Sequence, residues 1–382
     1  MPKRKALSLE ERFVVTMRLT QPFRLATSQA RQPAMATTAG LGGALYDPLN
    51  ATTDIVFVHG LGGDRVRTWT AVPSEDNPEA VFWPKELLPE VCKAARILSF
   101  GYDASFAQFW PGQDVPVETT IDDHSTSLFQ NLAGLRSETS STKRPIIFVA
   151  HSLGGLVVAN ALARQNADAA SQAIGNTTKG AIFLGTPFEG SDLAKLGKIG
   201  VQIASLFSST NEHKLKDLQR RSQKVTEITR GFLKYLRVRD QSESRNFLDV
   251  ACFFEEYQTR VGPLRQKIGL VVDKESAVIP GIDGQPIPAS HSNMCKFGFA
   301  EHSGFRSVSE KLCQWITALE SPSSTEADQF KKSAINISAV IENNPNNQGV
   351  IMGGFQSTKE NGVSAIGSQN YYYGSRPDDS SK

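Results

Sequence analysis

Cysteine is scarce, with four residues at 92, 252, 295 and 313 in a chain of 382. None of these intervals matches a zinc-binding pair, and so few thiols in so long a chain exclude a disulfide-stapled scaffold. A reducing intracellular setting is expected, cytoplasmic or at a membrane periphery. Charge of one sign is lacking too: 41 Lys and Arg stand against 39 Asp and Glu, a net +2. That balance gives no chain-wide footprint for nucleic acid. No Gly-x-Gly-x-x-Gly opens a helix and no Gly-Lys-Ser/Thr closes a phosphate loop, so dinucleotide and triphosphate cradles are excluded. The opening MPKRKALSLEERF holds no apolar secretory core. Its Arg-, Thr- and Ala-rich continuation leaves a mitochondrial or endoplasmic reticulum address open, although Glu10 and Glu11 count against a presequence. Residues 1–48 are expected to form a disordered arm.

Long apolar runs are missing, with one near exception. The stretch PIIFVAHSLGGLVVANALA, residues 145 to 163, is close to the length of a membrane span and is bracketed by Lys143, Arg144 and Arg164. Its composition changes along its length: Ile146 to Val149 are strand formers, Gly154 and Gly155 punctuate, and Leu156 to Ala163 favour helix. It therefore reads as strand, tight turn and helix, with His151 and Ser152 at the turn. That order fits the Gly-x-Ser-x-Gly nucleophile elbow of α/β-hydrolases, here Ala150-His151-Ser152-Leu153-Gly154, in which a strained bend exposes the serine hydroxyl.

A second glycine-rich turn strengthens the reading. The strand Ile55 to Val58 runs into His59-Gly60-Leu61-Gly62-Gly63, where glycines let the backbone aim amides into a site. In a hydrolase sheet this loop and the residue after the nucleophile supply the oxyanion donors, here the N–H groups of Leu61 and Leu153. Further strands are expected at 95–105, 180–191, 246–256 and 266–277. Helices are expected from FWPKELLPEVC, over 118–135 and over 303–320. Alternation on this scale predicts an α/β-hydrolase fold with a mostly parallel, doubly covered sheet spanning residues 49–320.

A serine nucleophile needs a base, and the base an orienting acid. Of six histidines, His59 and His151 belong to the two loops, His124 and His213 to helices, and His302 opens the last helix. His291 remains, in the Pro-flanked loop IPASHSNMCKF after the last strand, where this fold places its base. The acid belongs at the end of the penultimate strand, which favours Glu255, with Glu275 as the alternative and Asp273 behind it. No metal and no organic cofactor is needed for this chemistry.

The ordered blocks HGLGGDRVRTW, FWPKELLPE, RILSFGYDA, AHSLGGLVV, LGTPFEGSDLA, FFEEYQTRVGPL, VVDKESA and HSNMCKF resemble the serine-active-site lipase-like family. That family includes a mitochondrial-associated phospholipid-remodelling protein and many fungal homologues, with more distant kinship to glycosylphosphatidylinositol inositol-deacylases. The resemblance implies ester hydrolysis or acyl transfer at Ser152 and His291, on a lipid ester. Two positions depart from the family pattern: Phe188 stands where His is common, and Ala150 where Gly is.

Between residues 190 and 245 an insertion is expected to form a helical lid. Leu193, Leu196, Ile199, Ile203 and Leu206 mark one helix, and His213 to Arg239 a second. The second carries nine Lys and Arg against Asp217 and Glu227. Such a basic amphipathic helix suits an anionic membrane surface or a solvated flank of the domain. Residues 321–344 read as a linker. Residues 345–374 hold a Gly/Asn/Gln-rich motif in which Gly349-Val350, Gly354 and Gln356 recur as Gly362-Val363, Gly367 and Gln369, and 375–382 read as disordered. Periodic Gly and Gln with few charges suit cross-β stacking. This tail resembles prion-like motifs of fungal lipase-like effectors, which implies templated self-assembly by a nucleotide-binding oligomerisation-domain receptor. A signalling module is thus the reading from a different functional class.

Overall fold

The apolar runs TDIVFV and IIFVAH lie side by side at the centre of a sheet in the computed structural model of the chain. The structure describes residues 39–74, 78–104, 120–164, 168–188, 199, 202, 215–241, 247–261 and 266–320. The arm before residue 39, the linker and tail after 320, His213 and most of the first insertion helix lie outside the described residues.

In chain order the elements are β1 (Thr53–Val58), a 3-10 turn at Arg67–Trp69, β2 (Thr70–Ala71), β3 (Val81–Phe82), α1 (Trp83–Glu86), α2 (Leu88–Val91) and β4 (Ala95–Phe100). There follow α3 (Ile121–Glu138), β5 (Ile146–His151), α4 (Leu153–Ala163), α5 (Ala169–Thr177), β6 (Thr178–Leu184) and α6 (Leu215–Asp240). The chain continues through β7 (Asp249–Glu255), β8 (Thr259–Val261), β9 (Gln266–Gly269), α7 (Lys274–Ala277), β10 (Gly284–Ile287) and α8 (Ser303–Glu320).

Six strands form one sheet in the order β10-β7-β6-β5-β1-β4, each pair parallel. Parallel strands need crossovers, and helices on both faces explain why these strands read as continuous apolar runs. Alternation still sorts the side chains. Val56, Val58, Phe148, Ala150 and Phe183 face the layer of α3, α4 and α6, while Ile55, Phe57, Val149, Ile182 and Leu184 face α8 and the α1–α2 segment. This is an α/β-hydrolase fold.

Two expectations are corrected. The stretch 266–277 does not join the main sheet: its first part, β9, pairs antiparallel with β8, and Lys274–Ala277 is a short helix. The sixth sheet strand is β10, GQPI, whose Pro286 is tolerated because β10 is an edge strand. β7 is thereby the penultimate strand, and Glu255 closes it. Residues 40–46, expected within the arm, run along β4 instead, with Leu45 N–H donating to Ile97 O and Ile97 N–H to Tyr46 O. Of the two readings of the basic helix α6, the described residues show it packed on the domain. Ile228, Phe232, Leu233, Tyr235 and Leu236 form a buried face, and α6 rests against α4. Two of its cations have structural partners: Lys224 pairs with Asp122 at 3.0 Å, and buried Arg239 donates to the carbonyls of Gly175 and Phe247.

At the edge where β1 and β4 begin, Asp54 is fully buried and gathers three guanidinium groups. Arg96 approaches its carboxylate at 2.9 Å, Arg136 at 2.6 Å and Arg144 at 3.0 Å. Asp54 and Arg96 are register partners across β1 and β4, so strand pairing itself holds this pair in place. Removing one member of a buried network leaves uncompensated charge, which costs about 3–5 kcal/mol. Asp54→Ala is therefore expected to lower unfolding free energy by about that amount, read as a fall in the urea midpoint. Arg144→Ala, whose side chain is partly exposed, should lose clearly less.

Candidate active site

Strand β5 ends at His151 and helix α4 begins at Leu153, so Ser152 alone makes the bend. Its backbone sits at φ 53°, ψ −130°, in the left-handed half of conformational space that a residue with a Cβ adopts at a cost. Ser152 N–H donates to Leu184 O at 2.9 Å, and Gly155 N–H to Ser152 O at 3.0 Å. Helix α4 leaves so close to the end of β1 that a Cβ on Gly154 would collide with the carbonyls of His59 and Val58. Ala150, fully buried, fills the first small position of the elbow without displacing the strand.

The serine does not stand on the open surface, as the motif alone suggests. It is 3% exposed and lies in a cavity of about 220 Å³ whose lining includes Leu61, Arg67, His151, His291, Cys295 and Lys296. The loop after β1 and the loop between β10 and α8 contribute most of this lining, which is why the hydroxyl is sunk between them.

His291 Nε2 is 3.0 Å from Ser152 Oγ, although 139 residues separate the two in sequence. Behind the ring, Glu255 Oε1 lies 3.6 Å from His291 Nδ1, both groups buried. The same carboxylate oxygen accepts Val272 N–H at 2.7 Å, and Thr259 Oγ1 is 3.5 Å from Oε2. His291 Nδ1 has no hydrogen-bond partner among the described residues, so the carboxylate stands just beyond bonding distance. Glu275 is exposed on α7, and the Asp273 side chain caps that helix by accepting Ser276 N–H at 2.9 Å. The structure thus brings Ser152, His291 and Glu255 together, with Glu275 and Asp273 outside that chain of contacts.

Two further histidines stand beside the site, His151 in the cavity wall and His59 behind it. His151 Nε2 is 3.0 Å from the backbone carbonyl of His291; since a carbonyl only accepts, His151 carries its proton on Nε2 and tethers the loop of the candidate base. Burial, and next the neighbouring His291, push the His151 pKa well below its ordinary value. His59 donates through Nδ1 to Gly60 O at 3.0 Å and accepts Tyr102 N–H at Nε2, 3.3 Å away. Tyr102 stacks on the His59 ring at 4.4 Å and its hydroxyl donates to His59 O at 2.7 Å. Burial lowers the His59 pKa to about 4. The tether of His151 and the brace of Tyr102 were not foreseen. The only signal for Tyr102 in the sequence is its place just past a buried strand, in SFGYDA.

Leu61 and Leu153 are both buried beside Ser152, Leu61 in the cavity wall and Leu153 as the first residue of α4. Gly62 and Gly63 use their amides on the carbonyls of Ala104 and Gly60. Phe188 does not line the cavity. It packs edge-on to Phe183 and parallel to Phe232, beneath α6. Among the described residues no group of three or more His, Cys, Asp or Glu is placed to hold a metal ion, and no helix is long and apolar enough to cross a membrane.

The chain is similar to Protein SERAC1 of Bos taurus, 31% identical over 255 residues, and to that of Homo sapiens at 29% over 255. Each match covers 64% of this chain and 36% of the relative, so the chain spans little more than a third of the length of these curated relatives. No protein-family model matches the chain. Among solved structures, it overlays on a fungal esterase of Rhizomucor miehei at 12% identity and TM-score 0.38, covering 70% of this chain and 75% of that one. With a soluble variant of monoglyceride lipase from Saccharomyces cerevisiae the values are 13%, 0.36, 72% and 89%. Overlaps this partial carry no inference about chemistry.

The buried histidines set a pH dependence. His59 is neutral when folded down to about pH 4, whereas the unfolded chain protonates it near the ordinary value of about 6.5. Between these values only the unfolded state takes the proton, so stability is full above about pH 6.5 and falls as pH drops toward 4, by roughly 3 kcal/mol for this group. His151 adds in the same direction. The expected result is a melting temperature that declines from pH 6.5 to 4, with a smaller decline in His59→Asn; a flat profile over that interval would contradict it.

Proposed function

We propose that this protein is a serine hydrolase that cleaves carboxylic esters of lipids through an acyl-enzyme intermediate. The observation that carries the reading is the 3.0 Å contact between Ser152 Oγ and His291 Nε2 at a strained strand-to-helix turn. Ser152 Oγ attacks the acyl carbonyl carbon while His291 Nε2 takes its proton. The carbonyl π pair moves onto oxygen, and that oxyanion accepts hydrogen bonds from the N–H groups of Leu61 and Leu153. The Leu153 donor lies in the first turn of α4, where backbone amides lack partners within the helix.

Collapse of the tetrahedral species breaks the bond to the leaving alcohol, which receives the proton from His291. Water then attacks the acylated serine, His291 takes a proton from that water, and the carboxylic acid departs as Ser152 regains its own. Glu255 holds the His291 ring from behind and faces the charge that His291 carries in each half-reaction. The lipid nature of the ester is supported by the eight ordered sequence blocks and by a cavity wall that includes Leu61 and Cys295.

Labelling with a fluorophosphonate probe tests the nucleophile. Wild type should label, whereas Ser152→Ala and His291→Ala should not; equal labelling of all three would remove Ser152 from the reaction. Turnover of a nitrophenyl ester series then tests the acid. Glu255→Gln is expected to lower kcat by roughly 10³–10⁴-fold, while Glu275→Gln should stay within about twofold of wild type, as surface substitutions do.

A further inference from the structure

We propose that Cys92 and Cys313 form a dithiol–disulfide site that takes a low-molecular-weight disulfide as its oxidant and, once oxidised, joins helix α8 covalently to the segment at the end of α2. The two sulfurs are 3.6 Å apart although 221 residues separate them in sequence. Cys92 caps α2 and is buried, while Cys313 is half-buried on α8, whose packing partner at this point is α2 itself. The Cys313 thiol also reaches Val91 O at 3.4 Å, so its side chain already points into the junction. A disulfide needs its sulfurs at about 2.05 Å, an approach that side-chain rotation can supply between two helices already in contact.

The remaining thiols are poor competitors. Cys252 and Cys295 are buried, and burial raises the pKa of each to about 12. Cys313 differs in both respects: it is partly accessible, and the Cys92 thiol as hydrogen-bond donor lowers its pKa, while the same contact and burial raise that of Cys92. The thiolate is the attacking species in exchange.

The step balances as ordinary thiol–disulfide exchange. The Cys313 thiolate attacks one sulfur of the external disulfide, forming a mixed disulfide and expelling one small thiolate. Cys92 loses its proton and attacks the Cys313 sulfur, forming the intramolecular bond and expelling the second. The two protein thiols lose two electrons, the external disulfide gains them, and both protons end on the released small thiols. The product closes a loop of more than half the chain, which constrains the unfolded state strongly. It also anchors α8, whose Phe305 meets Trp83 of α1 and whose Trp315 covers Gly180 of β6. The site does not depend on the reaction assigned to Ser152.

The test exposes the full chain to glutathione disulfide, then counts free thiols in denaturant and maps peptides. Free thiols are expected to fall from four to two, with a cross-linked peptide pair containing Cys92 and Cys313. The urea midpoint should rise and should return to its starting value after dithiothreitol. Cys92→Ser should stop at a mixed disulfide on Cys313, and Cys313→Ser should keep its three thiols. The proposal is overturned if wild type retains four thiols, if it stops at a mixed disulfide, if another cysteine enters the cross-link, or if the cross-link leaves the midpoint unmoved.

Discussion

The structure depends on one backbone constraint: Ser152 held at positive φ between a buried strand and a buried helix. Such a conformation costs on the order of 1–3 kcal/mol and persists only where its surroundings over-determine it. Here they do. Ser152 N–H is fixed by Leu184 O of the neighbouring strand, and Gly154 is pressed against the carbonyls at the end of β1. Register extends the constraint to the second loop, because Val58 pairs with Ala150 and β1 therefore ends one residue before β5. The backbone of Gly60 is then so near Ser152 that a Cβ there would crowd the serine Cβ. The closeness of the glycine loop to the hydroxyl is a product of strand pairing, not of a separate interaction.

What could be read in the sequence was whatever the chain states locally. The elbow, the glycine loop, β1, β5 and the final helix, found at Ser303–Glu320 as expected, are each written in consecutive residues with a clear period or punctuation. The edge strand β10 could not be read, since GQPI carries neither a β-branched run nor alternation, and its pairing with β7 comes from sheet topology. The apolar GLVVD drew the strand assignment in its place. Glu255 was nevertheless favoured, because its place at the end of a strong strand does not depend on which strand follows. The basic helix α6 was judged by its charges, whereas its apolar spacing at 228, 232, 233 and 236 decides its packing. The Asp54 cluster was illegible for another reason: its members are 42, 82 and 90 residues from Asp54, and nothing local marks a charge as buried.

The two ends of β1 handle charge in opposite ways, and the contrast bears on the chemistry. At its start, the buried side chains of Asp54, Arg96 and Arg136 and the partly exposed Arg144 compensate one another. At its end, His59 and His151 are buried, no carboxylate among the described residues is bonded to either ring, and burial lowers the pKa of both. Neutrality there has a consequence for His291, which stands 5.1 Å from the His151 ring. In the proposed reaction His291 would take a proton from Ser152, and a cation at His151 would oppose that charge, a repulsion poorly screened within a buried site. Kept neutral, His151 donates its single N–H to the His291 carbonyl and so locates the loop that carries His291. Glu255 then faces the imidazole from its far side, and its other ties, to Val272 and Thr259, hold it at the back of the ring.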